Sequence, residues 1–238
     1  MEIKRYKHDA KFSYTLGMAL TIELIKCQKD RIQKIYIHPD YVARDNTYNI
    51  FNICQEENLP YEINQKVFNR LSTKGNTYVI GVFEKYDAEV EQEKPHIVLV
   101  NPSDSGNLGT IIRTGLGFGF KDYVIIRPAV DIYDPKTIRS SMGAIFHVQF
   151  SYFDTFEQYL KICPAHKIYS FMLDGTINLK EIKERPDTPF SLVFGNEAAG
   201  LSDYFHNYGE SIYIAHSNEI DSLNLSVAFG IAANVFSE

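Results

Sequence analysis

The chain has 238 residues, of which 45% are hydrophobic and 23% are charged. This composition excludes intrinsic disorder, collagen-like repeats and coiled coil, and the length favours two domains. No apolar run reaches the ~20 residues needed to cross a bilayer, and residues 1–11 are charged and polar rather than signal-like, which together predict a cytoplasmic protein.

The charge of the chain is unevenly distributed. The formal net charge of −6 argues against a protein that coats nucleic acid by bulk attraction. Residues 1–34 nevertheless carry eight lysines and arginines against four acids, so this segment has a charge of +4 and the remainder −10. We interpret the segment either as a solvated helix face or as part of a domain that faces a polyanion.

Cysteine and histidine give no sign of a metal site or a disulfide framework. The three cysteines lack paired spacing, and the seven histidines are scattered without an HExxH motif. We therefore expect reduced thiols and a function that needs no metal.

Residues 1–86 have the pattern of a small α/β domain, because helical apolar spacing alternates with short strand-like runs. The predicted elements are a helix at Thr15–Lys26, a strand at Ile35–His38, a helix at Tyr48–Glu57 and a strand at Tyr78–Phe83. The segment that follows, Glu84–Lys94, has five acids, two lysines and almost no apolar periodicity, which predicts a linker.

After this linker, strands and helices alternate regularly. The predicted strands are His96–Val100, Asp122–Ile126, Phe146–Phe150, Lys167–Phe171, Phe190–Phe194 and Ser211–Ile214. The predicted helices are Asn107–Phe118, Pro135–Ser141, Asp154–Ile162, a short one after Ser202, and Asn224–Phe236. This alternation predicts an α/β fold, a mostly parallel sheet with helices on both faces. Because ligands bind beyond the carboxyl ends of parallel strands, we expect the site in the loops after Val100, Phe194 and Ile214.

The first of these loops, NPSDSGNLGTIIR, occupies residues 101–113. Its glycines permit close backbone approach, and Asn107 is suited to cap the helix that follows. A guanidinium at Arg113 is suited to grip a phosphate or carboxylate, although a surface arginine paired with an acid would have the same pattern. The predicted buried stripe of this helix consists of Leu108, Ile111, Ile112 and Leu116.

The second loop, FGNEAAGLS at residues 194–202, follows an apolar strand. Gly195 and Gly200 flank Glu197, whose carboxylate is placed at the strand end, and Ser202 is suited to cap the next helix. Glu197 is interpreted either as a site residue or as a glutamate that stabilises a turn.

The third loop, residues 214–229, places Ser222, Asn224 and Ser226 at the start of the last helix. The N–H groups of a first helical turn can bind an anion or a polar ligand. Serine and asparagine are also ordinary caps at this position, so the motif alone is weak.

Taken in order, the three loops resemble the three motifs of the SpoU/TrmH family of RNA ribose 2′-O-methyltransferases, in the SPOUT superfamily. Asn107 with Arg113 is similar to the first motif, GNEAAGLS around Glu197 to the second, and SLNLS at Ser222–Ser226 to the third. RSSMGAIFHV at Arg139–Val148 resembles a segment found between the first two. The resemblance covers about residues 95–238. Residues 1–86 more loosely resemble the ribosomal-protein-like substrate-binding domain of many members.

This resemblance implies an RNA-binding domain at 1–86, a linker at 87–94 and a methyltransferase domain at 95–238 with a trefoil knot. It implies S-adenosylmethionine as cofactor, a ribose 2′-hydroxyl of structured RNA as substrate, and a homodimer. Ribosomal RNA is preferred as the substrate, and transfer RNA stays open as the alternative. The catalytic residues it implies are Asn107, Arg113, Glu197 and Asn224. The cofactor-binding residues it implies are Gly195, Ile214 and Leu223, with Gly200, Ser222 and Ser226.

The last helix and one departure bear on these implications. Residues 225–236 leave almost no polar face, which is consistent with burial against a second subunit. Where members commonly have Ile-Pro-Met after the last strand, this chain has Ile214-Ala215-His216, which affects the shape of the cofactor pocket.

Two other functions are weighed against this one. A non-catalytic RNA-binding or ribosome-assembly protein could keep the fold, but the intact motif residues weigh against it. A nucleotide-dependent dehydrogenase is not favoured, because Gly115, Gly117 and Gly119 end a helix, whereas a dinucleotide fingerprint follows a strand and opens one.

Overall fold

A computed structural model describes residues 4–42, 49–71 and 77–237. The chain divides into two compact units, Met1–Tyr86 with Asp131–Phe146, and Asp87–Val130 with His147–Glu238. The segment Asp131–Phe146 thus packs with the first unit, although the sequence reasoning placed it in the domain at 95–238. Among the described residues, every helix is too short or too polar to cross a membrane.

The N-terminal unit is built on a four-stranded sheet in the order β1-β4-β2-β3. Strand β4 runs antiparallel to β1 and β2, and β2 runs parallel to β3. The strands are β1 (Phe12–Leu16), β2 (Ile32–Ile37), β3 (Tyr61–Ile63) and β4 (Val79–Glu84), with helices α1 (Met18–Gln28), α2 (Ile50–Glu56) and α3 (Gln65–Leu71).

The first predicted helix is wrong at its N-terminal end. The predicted helix at Thr15–Lys26 begins only at Met18, because Phe12–Leu16 forms an edge strand paired with β4. The second predicted helix is confirmed at Ile50–Glu56, and Tyr48 lies outside the described residues. The three-residue strand β3 and the helix α3 were not predicted, because both are short and largely exposed.

The C-terminal unit contains a seven-stranded sheet in the order β7-β6-β5-β10-β8-β11-β9, and every neighbouring pair is parallel. This confirms the predicted α/β fold class. The strands are β5 (His96–Val100), β6 (Asp122–Ile126), β7 (Gln149–Phe153), β8 (Lys167–Phe171), β9 (Ile177–Asn178), β10 (Phe190–Phe194) and β11 (Glu210–Tyr213). The helices α4 (Ser105–Gly117), α6 (Phe156–Ile162) and α7 (Leu225–Phe236) lie in this unit, and α5 (Pro135–Ser140) lies in the first.

One predicted strand of the second half is misplaced. The prediction of a strand at Phe146–Phe150 is wrong, because Ala144–His147 forms a 3₁₀ turn and β7 begins at Gln149. Phe146 leaves the sheet because its ring packs in the N-terminal unit, with a centroid 5.4 Å from that of Phe83. The strands β5, β6, β8 and β10 have the bounds that their apolar runs predict.

Candidate active site

The helix α4 starts with a cap that the sequence reasoning assigned to the wrong residue. Asp104, not Asn107, is the N-cap, since its Oδ1 accepts a hydrogen bond from the Asn107 N–H at 2.7 Å. Leu108, Ile111 and Ile112 are buried as predicted, and Leu116 is only half-buried. Because Asp104 satisfies the helix end, the Asn107 side chain can bond to other loops.

The Glu197 carboxylate joins the second loop to the first. Its Oε2 accepts hydrogen bonds from the Ser103 N–H at 3.0 Å and the Ser103 hydroxyl at 2.7 Å, and its Oε1 accepts one from the Asp104 N–H at 3.0 Å. Partial burial opposes ionisation, but these hydrogen bonds outweigh it and hold the pKa of Glu197 below its ordinary value. Glu197 is therefore an ionised anchor at neutral pH.

Asn107 extends this junction to the third loop. Its Nδ2 lies 3.5 Å from Glu197 Oε1, and its Oδ1 accepts a hydrogen bond from Asn224 Nδ2 at 3.2 Å. Asn224 is the N-cap of α7, with its Oδ1 accepting from the Ser226 N–H at 2.9 Å. The structure thus brings three of the four predicted catalytic residues into one hydrogen-bonded chain.

Asn196, which is not among the predicted site residues, also joins the second loop to the first. Its Nδ2 donates to the Asn101 carbonyl oxygen at 2.8 Å, and its Oδ1 accepts from the N–H groups of Ala198 and Ala199 at 2.9 and 3.2 Å. One side chain therefore closes its own turn and holds it against the first loop. Its place immediately before Glu197 was the only signal in the sequence.

The second loop folds back on itself through its two glycines. A Cβ on Gly195 would lie 2.1 Å from the Gly200 carbonyl carbon, so no side chain fits there. Gly200 has a φ of 67°, a conformation that other residues rarely adopt, and its N–H donates to the Asn196 carbonyl oxygen at 2.8 Å. These glycines shape one wall of a cavity.

That cavity, of about 310 Å³, lies beyond the carboxyl ends of β8, β10 and β11. Five of the six predicted cofactor-binding residues line it, namely Gly195, Gly200, Ile214, Ser222 and Leu223. The sixth, Ser226, lies outside the lining, and its hydroxyl donates to Asn224 Oδ1 at 2.7 Å. Further lining comes from Phe194, whose ring stacks on Phe171 with centroids 4.4 Å apart.

His216, which stands where family members commonly have methionine, also lies at this cavity. Its ring lines the cavity, and its Nδ1 donates a hydrogen bond to the Ile214 carbonyl oxygen at 2.8 Å. The imidazole thereby fixes the turn that follows β11. The wall here is a histidine ring rather than a proline and a methionine.

Arg113 is placed apart from this junction. It lies on α4 about 9 Å along the helix from Asn107 and about 120° around its axis. Its guanidinium is exposed and forms no hydrogen bond or ion pair with any residue in the described ranges. An unpaired guanidinium on a rigid helix near the motif loops can receive an external anion.

The histidines are less scattered in space than in sequence. His96, His166 and Cys163 are buried together, with ligand atoms close enough to hold a metal ion. His96 Nε2 and His166 Nε2 both donate to backbone carbonyls, at 3.0 and 2.7 Å. The Tyr159 hydroxyl lies between them, 2.9 Å from His96 Nδ1 and 3.3 Å from His166 Nδ1. Burial lowers the pKa of His96 to about 4, so this imidazole is neutral in a structural polar network.

Residues 94–234, more than half of the chain, match the family model described as SpoU rRNA Methylase family. The chain therefore belongs to this family. The three loops that form the junction and the cavity all lie within the matched residues.

Two relatives illustrate the match. The 23S rRNA (adenosine(1067)-2′-O)-methyltransferase of Streptomyces azureus is 27% identical over 193 residues, which cover 77% of this chain and 71% of that protein. The tRNA (cytidine/uridine-2′-O-)-methyltransferase TrmJ of Salmonella typhimurium is 31% identical over 150 residues, 58% of this chain and 60% of that protein.

Among solved structures, an AdoMet-bound rRNA methyltransferase from Sinorhizobium meliloti superposes with a TM-score of 0.79 at 23% identity, covering 95% of this chain and 87% of that chain. At this level of identity, the superposition shows a shared fold.

Proposed function

We propose that this chain is a methyltransferase that transfers a methyl group from S-adenosylmethionine to a ribose 2′-hydroxyl of ribosomal RNA. The observation that carries the proposal is the junction of Glu197, Asn107 and Asn224 beside the cavity. It joins the three loops of a SpoU family member at the carboxyl edge of a parallel sheet. A non-catalytic RNA-binding protein would have no need of a cavity at this edge.

The lining of the cavity fits the cofactor in its chemistry. Apolar side chains, including Ile214 and Leu223, are suited to an adenine ring, and the backbone around Gly195 offers polar groups at close range. When bound, S-adenosylmethionine supplies an electrophilic methyl group, which an attacking 2′-oxygen takes in line as S-adenosylhomocysteine leaves. The residues that would hold it are Gly195, Gly200, Ile214, Ser222 and Leu223.

Arg113 is proposed to act on the RNA. A guanidinium does not lose its proton in a protein, so Arg113 is not a general base. It would hold the phosphate next to the target ribose and stabilise the negative charge that develops on the 2′-oxygen. The hydroxyl proton would then leave to solvent.

The other motif residues are proposed to position the site. Glu197 is fully engaged by the first loop and has a lowered pKa, so it anchors the loop and does not abstract a proton. Asn107 and Asn224 would orient the ribose edge against the cavity. Alignment of this kind can lower a barrier by ~7–11 kcal/mol.

The length of the match to one relative favours ribosomal RNA over transfer RNA as the substrate. The match to the S. azureus 23S rRNA enzyme spans 193 residues, more than the region 94–238 contains, and so reaches into the N-terminal unit. We infer that residues 1–86 bind the RNA substrate. On this reading the protein works in the cytoplasm, where ribosomal RNA is found.

A homodimer and a knotted C-terminal chain are also proposed from the family resemblance. On α7, Val227 is 51% exposed and Ile231 is 40% exposed, and these residues are four apart on one helix face. A second copy of the chain is proposed to cover this apolar face.

The role of Arg113 is tested by Arg113→Ala in single-turnover assays with saturating cofactor. We expect the rate of methyl transfer to fall by ~10²–10³-fold, by analogy with the removal of one oxyanion donor. Folding and cofactor affinity should be unchanged because Arg113 has no partner within the described chain. Arg113→Lys should recover little, since an ammonium lacks the planar fork.

Lys161→Ala, which removes an exposed cation from α6, is the matched control and should keep the wild-type rate. A folded Arg113→Ala protein with near-normal turnover would show that the arginine is not part of the catalytic machinery.

A further inference from the structure

A cleft in the N-terminal unit is lined by four cationic side chains. Lys4 and Arg5 contribute to its lining from the N-terminal segment, and α3 contributes Lys66, Asn69 and Arg70, around a space of about 590 Å³. All five lining residues are exposed. Four of them are cationic and the other, Asn69, is a neutral amide, although the whole chain has a net charge of −6. We propose that this cleft binds the sugar–phosphate backbone of the RNA substrate, an inference that rests on the proposed function.

A single small core fixes both sides of the cleft. Val67 and Phe68 of α3 are buried in the same cluster as Tyr14, which directs the cationic residues of α3 outward. The Tyr14 hydroxyl donates a hydrogen bond to the Lys4 carbonyl oxygen at 2.7 Å. The cations are thus held on ordered backbone, which lowers the entropic cost of binding an extended ligand.

Ion pairing separates these cations from others in the same unit. The side chains of Lys4, Arg5 and Lys66 form no hydrogen bond or ion pair with any residue that the structure describes. Four other lysines of residues 1–34 are paired with acids: Lys11 with Glu84, Lys26 with Glu23, Lys29 with Glu57 and Lys34 with Glu62, at 2.8–3.2 Å. The cleft therefore holds at least three cationic side chains that no acid of the described chain neutralises.

The chemistry of the lining selects a polyphosphate backbone. Several cations at one cleft bind successive phosphates and release the counterions of the RNA. None of the five lining residues is aromatic, so the cleft offers no stacking surface for bases, and its contribution should be independent of sequence. It also offers no apolar side chain to insert into a membrane, so a lipid surface is the weaker match.

The test uses the full chain, an in vitro transcript of 23S rRNA, and filter binding between about 50 and 200 mM salt. The variant Lys4→Gln/Arg5→Gln/Lys66→Gln should weaken binding at low salt by roughly 10- to 100-fold. It should also reduce the slope of log K against log salt by about 2–3, because three phosphate contacts are lost. Binding of S-adenosylmethionine should be unchanged.

The matched control is Lys11→Gln/Lys29→Gln/Lys34→Gln, which removes the same charge from paired lysines and should change the slope by less than about 1. The proposal is overturned if the control lowers the slope as much as the cleft variant, or if the cleft variant binds like wild type. It is also overturned if the cleft variant loses binding only to anionic phospholipid vesicles. Methylation of the same transcript by the wild-type protein separates the two proposals. If wild type does not methylate the transcript, the proposed function is refuted. If wild type methylates it and the cleft variant binds RNA as wild type does, only the cleft proposal is refuted.

Discussion

Replacing Glu197 by glutamine should weaken the contact between the first and second loops. The two carboxylate oxygens accept three hydrogen bonds at 2.7–3.0 Å from Ser103 and Asp104. Glutamine keeps the shape but presents an NH₂ group in place of one oxygen, so at least one backbone N–H faces another donor. A hydrogen bond to a charged group contributes about 1.5–3 kcal/mol, and the low end applies here because water reaches the half-buried side chain.

Urea unfolding monitored by circular dichroism measures this effect. The Glu197→Gln midpoint should lie about 0.5–1.5 M below that of wild type, with an unchanged m-value. Glu219→Gln, which neutralises an exposed glutamate of the third loop, should stay within about 0.5 kcal/mol of wild type. If Glu197→Gln unfolds with the wild-type free energy, the carboxylate does not hold the loops together.

The effect should depend on pH with a definite sign. Because the pKa of Glu197 is lowered in the folded state, its ionised form contributes stability that is fully present above the unfolded pKa of about 4.3. That contribution is lost as pH falls through the folded pKa. The difference between wild type and Glu197→Gln should therefore be constant near neutral pH and shrink in acid; a difference that grows in acid would contradict the reasoning.

Three further predictions concern the cavity and the last helix. Gly195→Ala should lower affinity for S-adenosylmethionine by at least about tenfold in calorimetry, because the new Cβ would collide with the Gly200 backbone. Unchanged affinity would exclude this wall as part of the cofactor site. Cofactor affinity should be the same with and without EDTA, whereas loss of binding in chelator would reveal a required metal. Val227→Asp/Ile231→Asp should shift a dimer to monomer in sedimentation velocity without unfolding it, and an unaltered dimer would place the interface elsewhere.

The core strands of the C-terminal sheet could be read from the sequence because parallel strands are buried on both faces and form continuous apolar runs. His96–Val100 and Phe190–Phe194 have the predicted bounds for this reason. Phe12–Leu16 could not be read in the same way, because it is a short edge strand that, among the described strands, pairs only with β4 and is separated from α1 by Gly17 alone.

The sequence motifs name the residues of the candidate site but not the hydrogen bonds that join them. Motif order identified Glu197 and Asn107, but the predicted cap of α4 was Asn107, whereas the structure shows that Asp104 caps this helix. The bonds of Asn196 and Ser103 join loops more than 90 residues apart in the chain, which local patterns do not encode.

Transfer of a labelled methyl group tests the central claim most directly. Full-length protein, S-adenosylmethionine labelled in its methyl group and an unmodified 23S rRNA transcript are incubated together, and the RNA is digested to nucleosides for mass spectrometry. The account predicts label in a 2′-O-methylated nucleoside with wild type and a strongly reduced yield with Arg113→Ala. Label on a base, or none in the RNA despite measured cofactor binding, would contradict it.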